Sequence, residues 1–227
     1  MNVKRLVFKF GSLVFICFLI ASSVSAAEIV VPSQDNPNVV IGGQTGYKNL
    51  YTVGANITVN SNTMSDLVAA GGMVTVVGDI EQQALIAGGN IFISGSVGGN
   101  ARMAGGNITI TGPVGGDLVV AGGTLNITQK ATISGDLLIA GGSVVIDSSV
   151  MGNIRVVGDY VTINGLVQGD VEVRANNGLT FGPSAEVIGK IIYKGPKEAM
   201  VLDGAKVGAI EFTRISSPNF RHKLAVL

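Results

Sequence analysis

The chain has 227 residues, 33 of them glycine and none tryptophan, with 47% apolar and only 13% charged side chains. So much glycine alongside so much Val, Ile and Leu excludes disorder, which needs low hydrophobicity, and fits a β-solenoid. Fifteen basic residues balance fifteen acidic ones, and no basic face is interleaved with aromatics, so the footprint of a nucleic-acid binder is absent.

Residues 1–26 stand apart. Lys4, Arg5 and Lys9 form a basic head, Leu13 to Ile20 an apolar stretch, and Val24-Ser25-Ala26 a small-residue cleavage site before Ala27. This pattern predicts a secretory signal peptide and an exported, extracytoplasmic chain. The alternative is that the same segment stays uncleaved as a membrane anchor. Cys17, the only cysteine, falls inside it, and bulky Ile16 sits where lipidation needs a small residue. The rest of the chain therefore has no thiol or disulfide chemistry. Without Lys4, Arg5 and Lys9 there are 12 basic against 15 acidic residues. They are unevenly spread: residues 27–150 carry 3 basic and 8 acidic side chains, residues 151–227 carry 9 and 7.

Residues 27–48 read as an irregular lead-in, with Pro32, Pro37 and Gly42-Gly43, ending in a partial coil at Val39–Ile41. A repeat follows over 49–212. Ala-Gly-Gly recurs at 70–72, 87–89, 104–106, 121–123 and 140–142, in steps of 17, 17, 17 and 19 residues. A period of this length means a solenoid. Units begin at Asn49, Asp66, Gln83, Asn100, Asp117, Asp136, Asn153, Asp170 and Lys190. Within each, the second and fourth positions are apolar, as in Leu67/Ala69, Leu118/Val120 and Ile154/Val156. A second alternating pair follows the Gly-Gly corner, as in Val74/Val76, Ile108/Ile110 and Leu125/Ile127. A third apolar position recurs at Ile80, Val97, Val114, Ile133, Val150 and Val167. Period-two alternation is the mark of a strand with one buried face.

Three short strands per repeat, separated by glycines that tolerate positive φ, describe one triangular coil of a parallel β-helix. The fold predicted is all-β, with about nine coils of 17–20 residues. At about 4.8 Å per coil, that is a rod roughly 40–45 Å long. The corner residues are Gly71, Gly72, Gly88, Gly89, Gly105, Gly106, Gly122, Gly123, Gly141 and Gly142. Longer corners around Asn176-Asn177-Gly178 and Lys194-Gly195-Pro196-Lys197 project from one edge. The tail, 213–227, leaves the repeat and carries Arg221-His222-Lys223.

The polar first position of each unit brings Asp117 and Asp136 one coil apart, a spacing at which two carboxylates could hold Ca²⁺ or act as an acid/base pair. The plainer reading is that Asn and Asp follow Gly at a corner because they bond local backbone. Acyltransferases and zinc carbonic anhydrases built on β-helices need histidine, and the only one is His222, in the tail. The plentiful Ser and Thr have no histidine to activate them, so no enzyme, metal or cofactor is expected. Arg102 and Arg155 face outward near the polar column. The outward position of the first strand is often apolar: Val68, Leu85, Val119 and Leu138, beside a row of alanines. Such a face is a candidate surface for lateral association or membrane contact.

The coil pattern, in segments such as Gly115-Gly116-Asp117-Leu118-Val119-Val120-Ala121-Gly122-Gly123, resembles the bactofilins, bacterial polymer-forming proteins. The likeness covers about residues 49–212. It implies a right-handed β-helix, nucleotide-independent polymerisation by end-to-end stacking, envelope association and no catalytic residues. Bactofilins proper are cytosolic, whereas this chain has an apparent signal peptide. The expectation is thus an exported, self-assembling structural protein whose chief partner is itself, with Ile210 and Phe212 in the last coil at the junction. A membrane or an envelope polysaccharide is a further candidate partner. The alternative function is a carbohydrate-binding or adhesive solenoid using the corners at 176–183 and 194–198.

Overall fold

The computed structural model describes residues 27–33, 35–42 and 46–215. The expected signal peptide and the end of the tail lie outside them. Among the described residues there is no helix; parallel strands stack into a β-solenoid of about 10 turns.

The strands are β1 (Ala27–Val30), β2 (Asn38–Ile41), β3 (Asn49–Val59), β4 (Leu67–Val76), β5 (Ala84–Ile93) and β6 (Ala101–Ile110). There follow β7 (Leu118–Ile127), β8 (Thr132–Ile133), β9 (Leu137–Ile146), β10 (Ser149–Val150), β11 (Ile154–Ile163) and β12 (Leu166–Val167). The last are β13 (Val171–Phe181), β14 (Glu186–Val187), β15 (Ile191–Gly195), β16 (Met200–Val201) and β17 (Ile210–Arg214). The main sheet runs β1-β3-β4-β5-β6-β7-β9-β11-β13-β15-β17, every neighbour parallel. On the third side of the coil, β8, β10, β12 and β14 form a small sheet. Before them that side pairs through single bridges, Thr63 to Ile80 to Val97 to Val114.

Two of the three expected strands are in fact one. The strand of each central coil runs on through Ala-Gly-Gly, ten residues long, so the corner is a bend within a strand. Ladder bonds continue across it because the register holds on both sides, Ala87 on Ala104 and Asn90 on Asn107. The lead-in also holds a strand that alternation does not reveal: β1 pairs with β3, Ala27 on Asn49 through Val30 on Thr52.

Inward rows stack like on like. Leu50, Leu67, Ala84, Ala101, Leu118, Leu137, Ile154, Val171 and Ile191 form one buried column through the main sheet. Each coil buries its apolar row only against its neighbours, so stability is shared along the rod. Toward the C-terminus the core turns aromatic, with Phe181 and Tyr193 buried and the Tyr193 and Phe212 rings 5.5 Å apart.

Candidate functional site

The corner glycines come first. Positive φ occurs at Gly46, Gly178 and Gly204, and at none of the ten Ala-Gly-Gly glycines. The expectation that these corners need glycine for its left-handed freedom is therefore corrected. The reason is close approach: a Cβ on Gly71 would stand 2.5 Å from the Gly54 carbonyl oxygen in the coil before, and one on Gly122 2.6 Å from that of Gly105. The same contact recurs at Gly88, Gly105 and Gly141. The second corner glycines, Gly72, Gly89, Gly106, Gly123 and Gly142, meet the preceding carbonyl at 2.8–3.0 Å.

The polar column is a hydrogen-bond ladder. The Asp136 N–H donates to Asp117 Oδ1 (2.9 Å), that of Asn153 to Asp136 Oδ1 (2.8 Å) and that of Asp170 to Asn153 Oδ1 (2.9 Å). Each side chain thus satisfies a backbone donor one coil on. That oxygen fills the space beside the glycine preceding the next polar residue: a Cβ on Gly135 would collide with Asp117 Oδ1, one on Gly116 with Asn100 Oδ1. The recurring Gly-Asx pair is one device, an acceptor from one coil and the room for it in the next. Among the described residues no group of three or more His, Cys, Asp or Glu could hold a metal ion. Asp117 and Asp136 are stacked as expected, but in a structural role.

The outward rows of the first half-strand lie side by side. One reads Tyr51, Val68, Leu85, Arg102, Val119, Leu138, Arg155, Glu172, Ile192, Glu211 in successive coils. Beside it run Val53, Ala70, Ala87, Ala104, Ala121, Ala140, Val157, Arg174, Lys194, Thr213. Leu85 is 54% exposed, Val119 and Leu138 37% each, and Val68 is half-buried. The alanine row stands low beside the large one, and on the large row's other flank, toward the polar column, a depression of about 320 Å³ is bordered by Asp136, Leu138, Asn153, Arg155, Asp170 and Glu172. Arg155 Nε donates to Glu172 Oε2 at 3.0 Å, an exposed pair worth little stability. Arg102 leans onto Gln83.

The ends differ. At the C-terminal end β17 pairs with β15 on one side, and among the described residues no strand pairs with its other side. Ile210 and Phe212 are half-buried inward residues of this strand. Val201, stacked on Phe181, is 45% exposed, and Leu202 beside it 41%. The end is thus an apolar patch of core columns. At the N-terminal end Glu28 stacks on Leu50, which puts an exposed carboxylate at the head of an inward column. Sequence reasoning singled out Ile210 and Phe212 but missed Val201, Leu202 and Glu28, because inward position at an end depends on register.

Tyr193 lies deeper in that end. Its buried hydroxyl makes no hydrogen bond of good geometry; the Leu179 backbone offers at best a weak contact, so burial dominates and pushes the phenol pKa up. No family model matches this chain, and neither a curated protein nor a solved structure does.

Proposed function

We propose that the chain is a non-enzymatic structural protein of the bacterial cell envelope that assembles end to end. The observation that carries this reading is the last strand: a parallel edge with one side unpaired among the described residues, fronted by Ile210, Phe212 and Val201. An unpaired edge is a template for another strand, and an apolar end gains by being covered. The likeness of the repeat to the bactofilins, and the apparent signal peptide, support polymerisation outside the cytoplasm. Head-to-tail stacking would set β17 on β1 of the next chain, with Ile210 against Glu28. The acidic N-terminal and basic C-terminal halves favour that polarity at low salt. The Glu28 carboxylate opposes it, because burial without a partner is costly.

Negative-stain micrographs and sedimentation of the purified chain test the reading. Filaments are expected for the wild type. Phe212→Lys should abolish filaments with unchanged β content, and Glu28→Leu should give longer filaments. A wild-type chain that stays monomeric at high concentration would sink the idea.

One observation favours a second reading, a neutral glycan binder. The outward rows of the second half-strand, from Asn38 to Gly178 and from Val40 to Met200, contain no charged residue. Their amides pair, Asn56 to Asn38 and Asn107 to Asn90, and Tyr160 is 62% exposed for stacking on a sugar ring. Salt-insensitive retention on an insoluble neutral polysaccharide, lost in Tyr160→Ala, would promote it.

A further inference from the structure

We infer that the outer ribbon of the first half-strands is a two-fold interface between two copies of this chain lying side by side and pointing the same way. The inference deepens the assembly reading above, and its test does not depend on end stacking.

The argument rests on bulk. From Val68 to Leu138 the apolar members of one row are large and their neighbours at the same level small: Val68 beside Ala70, Leu85 beside Ala87, Val119 beside Ala121, Leu138 beside Ala140. Two copies can meet face to face about a two-fold axis in two ways. An axis across the rods reverses their direction and sets each row on its own counterpart. Leucine then meets large side chains, while alanine faces alanine across a gap that nothing fills. An axis along the rods keeps every coil at its level and sets the large row on the small one. Leu85 of one copy then enters the relief over Ala87 of the other, and Leu138 that over Ala140. Sheets pack where large and small positions interdigitate, so the parallel arrangement fits and the antiparallel one does not.

Charge agrees. With levels kept, Glu172 faces Arg174 of the second copy, Arg102 faces Ala104 and Arg155 faces Val157, so no like charges meet. Each long arginine stem can lie over a small or branched aliphatic while its guanidinium reaches water.

Size sets the strength. Ten levels at about 4.8 Å and two rows about 7 Å apart give a strip of roughly 340 Å² per copy. Both copies together bury roughly 700 Å², below the ~1,000 Å² of a stable specific interface and in the range of a weak, transient one. The pair is weak alone. It places both C-terminal ends of a pair at one level, so that stacking becomes bivalent and each contact strengthens the other.

Disulfide trapping tests the arrangement on the full chain with Cys17→Ser. Leu85→Cys and Ala87→Cys proteins are mixed, oxidised and analysed by mass spectrometry. The parallel two-fold predicts a mixed disulfide at least about fivefold above either homodisulfide, because only facing Cβ atoms at one level come within bonding distance. Leu85→Cys mixed with Ala140→Cys should stay unlinked, and adding Leu138→Lys to both partners of the first mixture should return it to background. End stacking separates equivalent residues by about a rod length, so it cannot form this bond. The mixture repeated with Phe212→Lys should therefore keep the disulfide when filaments are lost. A dominant Leu138→Cys homodisulfide would overturn the inference in favour of antiparallel pairing. Absence of every disulfide would overturn it outright. If the chain then pellets with anionic phospholipid vesicles, and Leu138→Lys does not, the ribbon's occupant is a membrane.

Discussion

Gly122 meets demands from two directions at once. A side chain there would press on the Gly105 carbonyl at 2.6 Å and on Leu125 Cδ2 at 2.9 Å. Backbone cannot yield as a flexible side chain can, so Gly122→Val should cost about 3 kcal/mol, read as a lowered melting temperature. Thr109→Lys, outward on the second face, should change stability by less than about 0.5 kcal/mol. Tyr193 presents the opposite case. Its buried hydroxyl lacks a good partner, so Tyr193→Phe should leave the fold intact and stabilise it by about 1 kcal/mol in denaturant unfolding. Asp79 contributes through pH. The Ser96 hydroxyl (2.7 Å) and N–H (2.8 Å) both donate to its Oδ1, and these bonds, the hydroxyl's first, hold the carboxyl below its ordinary value of 3.8. A lowered folded pKa stabilises above the ordinary value and is lost as pH falls through the folded one. Ser96→Ala should therefore lower the melting temperature slightly at pH 7, and the difference should shrink toward pH 3.

At the scale of the element, the bent strand is the unit of cooperativity. Val120 in β7 is buried between Met103 in β6 and Ile139 in β9. Val120→Asp would leave a carboxylate there without a partner, at a cost of about 4 kcal/mol. Because each coil is held by its neighbours, the damage should spread by adjacency. Amide hydrogen exchange should show protection lost in β6, β7 and β9 and retained in β13. Uniform loss along the rod would mean a single all-or-none unit. The third side, made of single bridges and two-residue strands, is poorer in ladder bonds and contributes chiefly through Ile80, Val97, Val114 and Ile133, all buried.

For the whole molecule, the ends and the ribbon are surfaces that no described residue covers. Association that binds the folded chain stabilises it by mass action. The melting temperature of the wild type should therefore rise with protein concentration, and that dependence should weaken in Phe212→Lys. A concentration-independent wild type would count against end-to-end assembly. Among the described residues the C-terminal end is the more apolar, with Val201 and Leu202 exposed there, whereas Glu28 interrupts the inward column at the other end.

By itself the sequence determined the period, the solenoid and nearly every inward residue. Alternation is local, and a repeat writes it many times over, so even Ala84 and Ala101 are recognisable as core by their place in the frame. Only the tertiary structure decided what each residue meets one coil away. It joined two expected strands into one bent strand, because ladder bonds persist through the corner. It moved the need for glycine from positive φ to the approach of a carbonyl from the preceding coil. It made the Asp117–Asp136 column a ladder of backbone acceptors, and it put Glu28 on the core column. These contacts join residues some 17 apart in the chain, as Gly88 to Gly105. Their form depends on how closely two coils stack, a distance that no local pattern encodes.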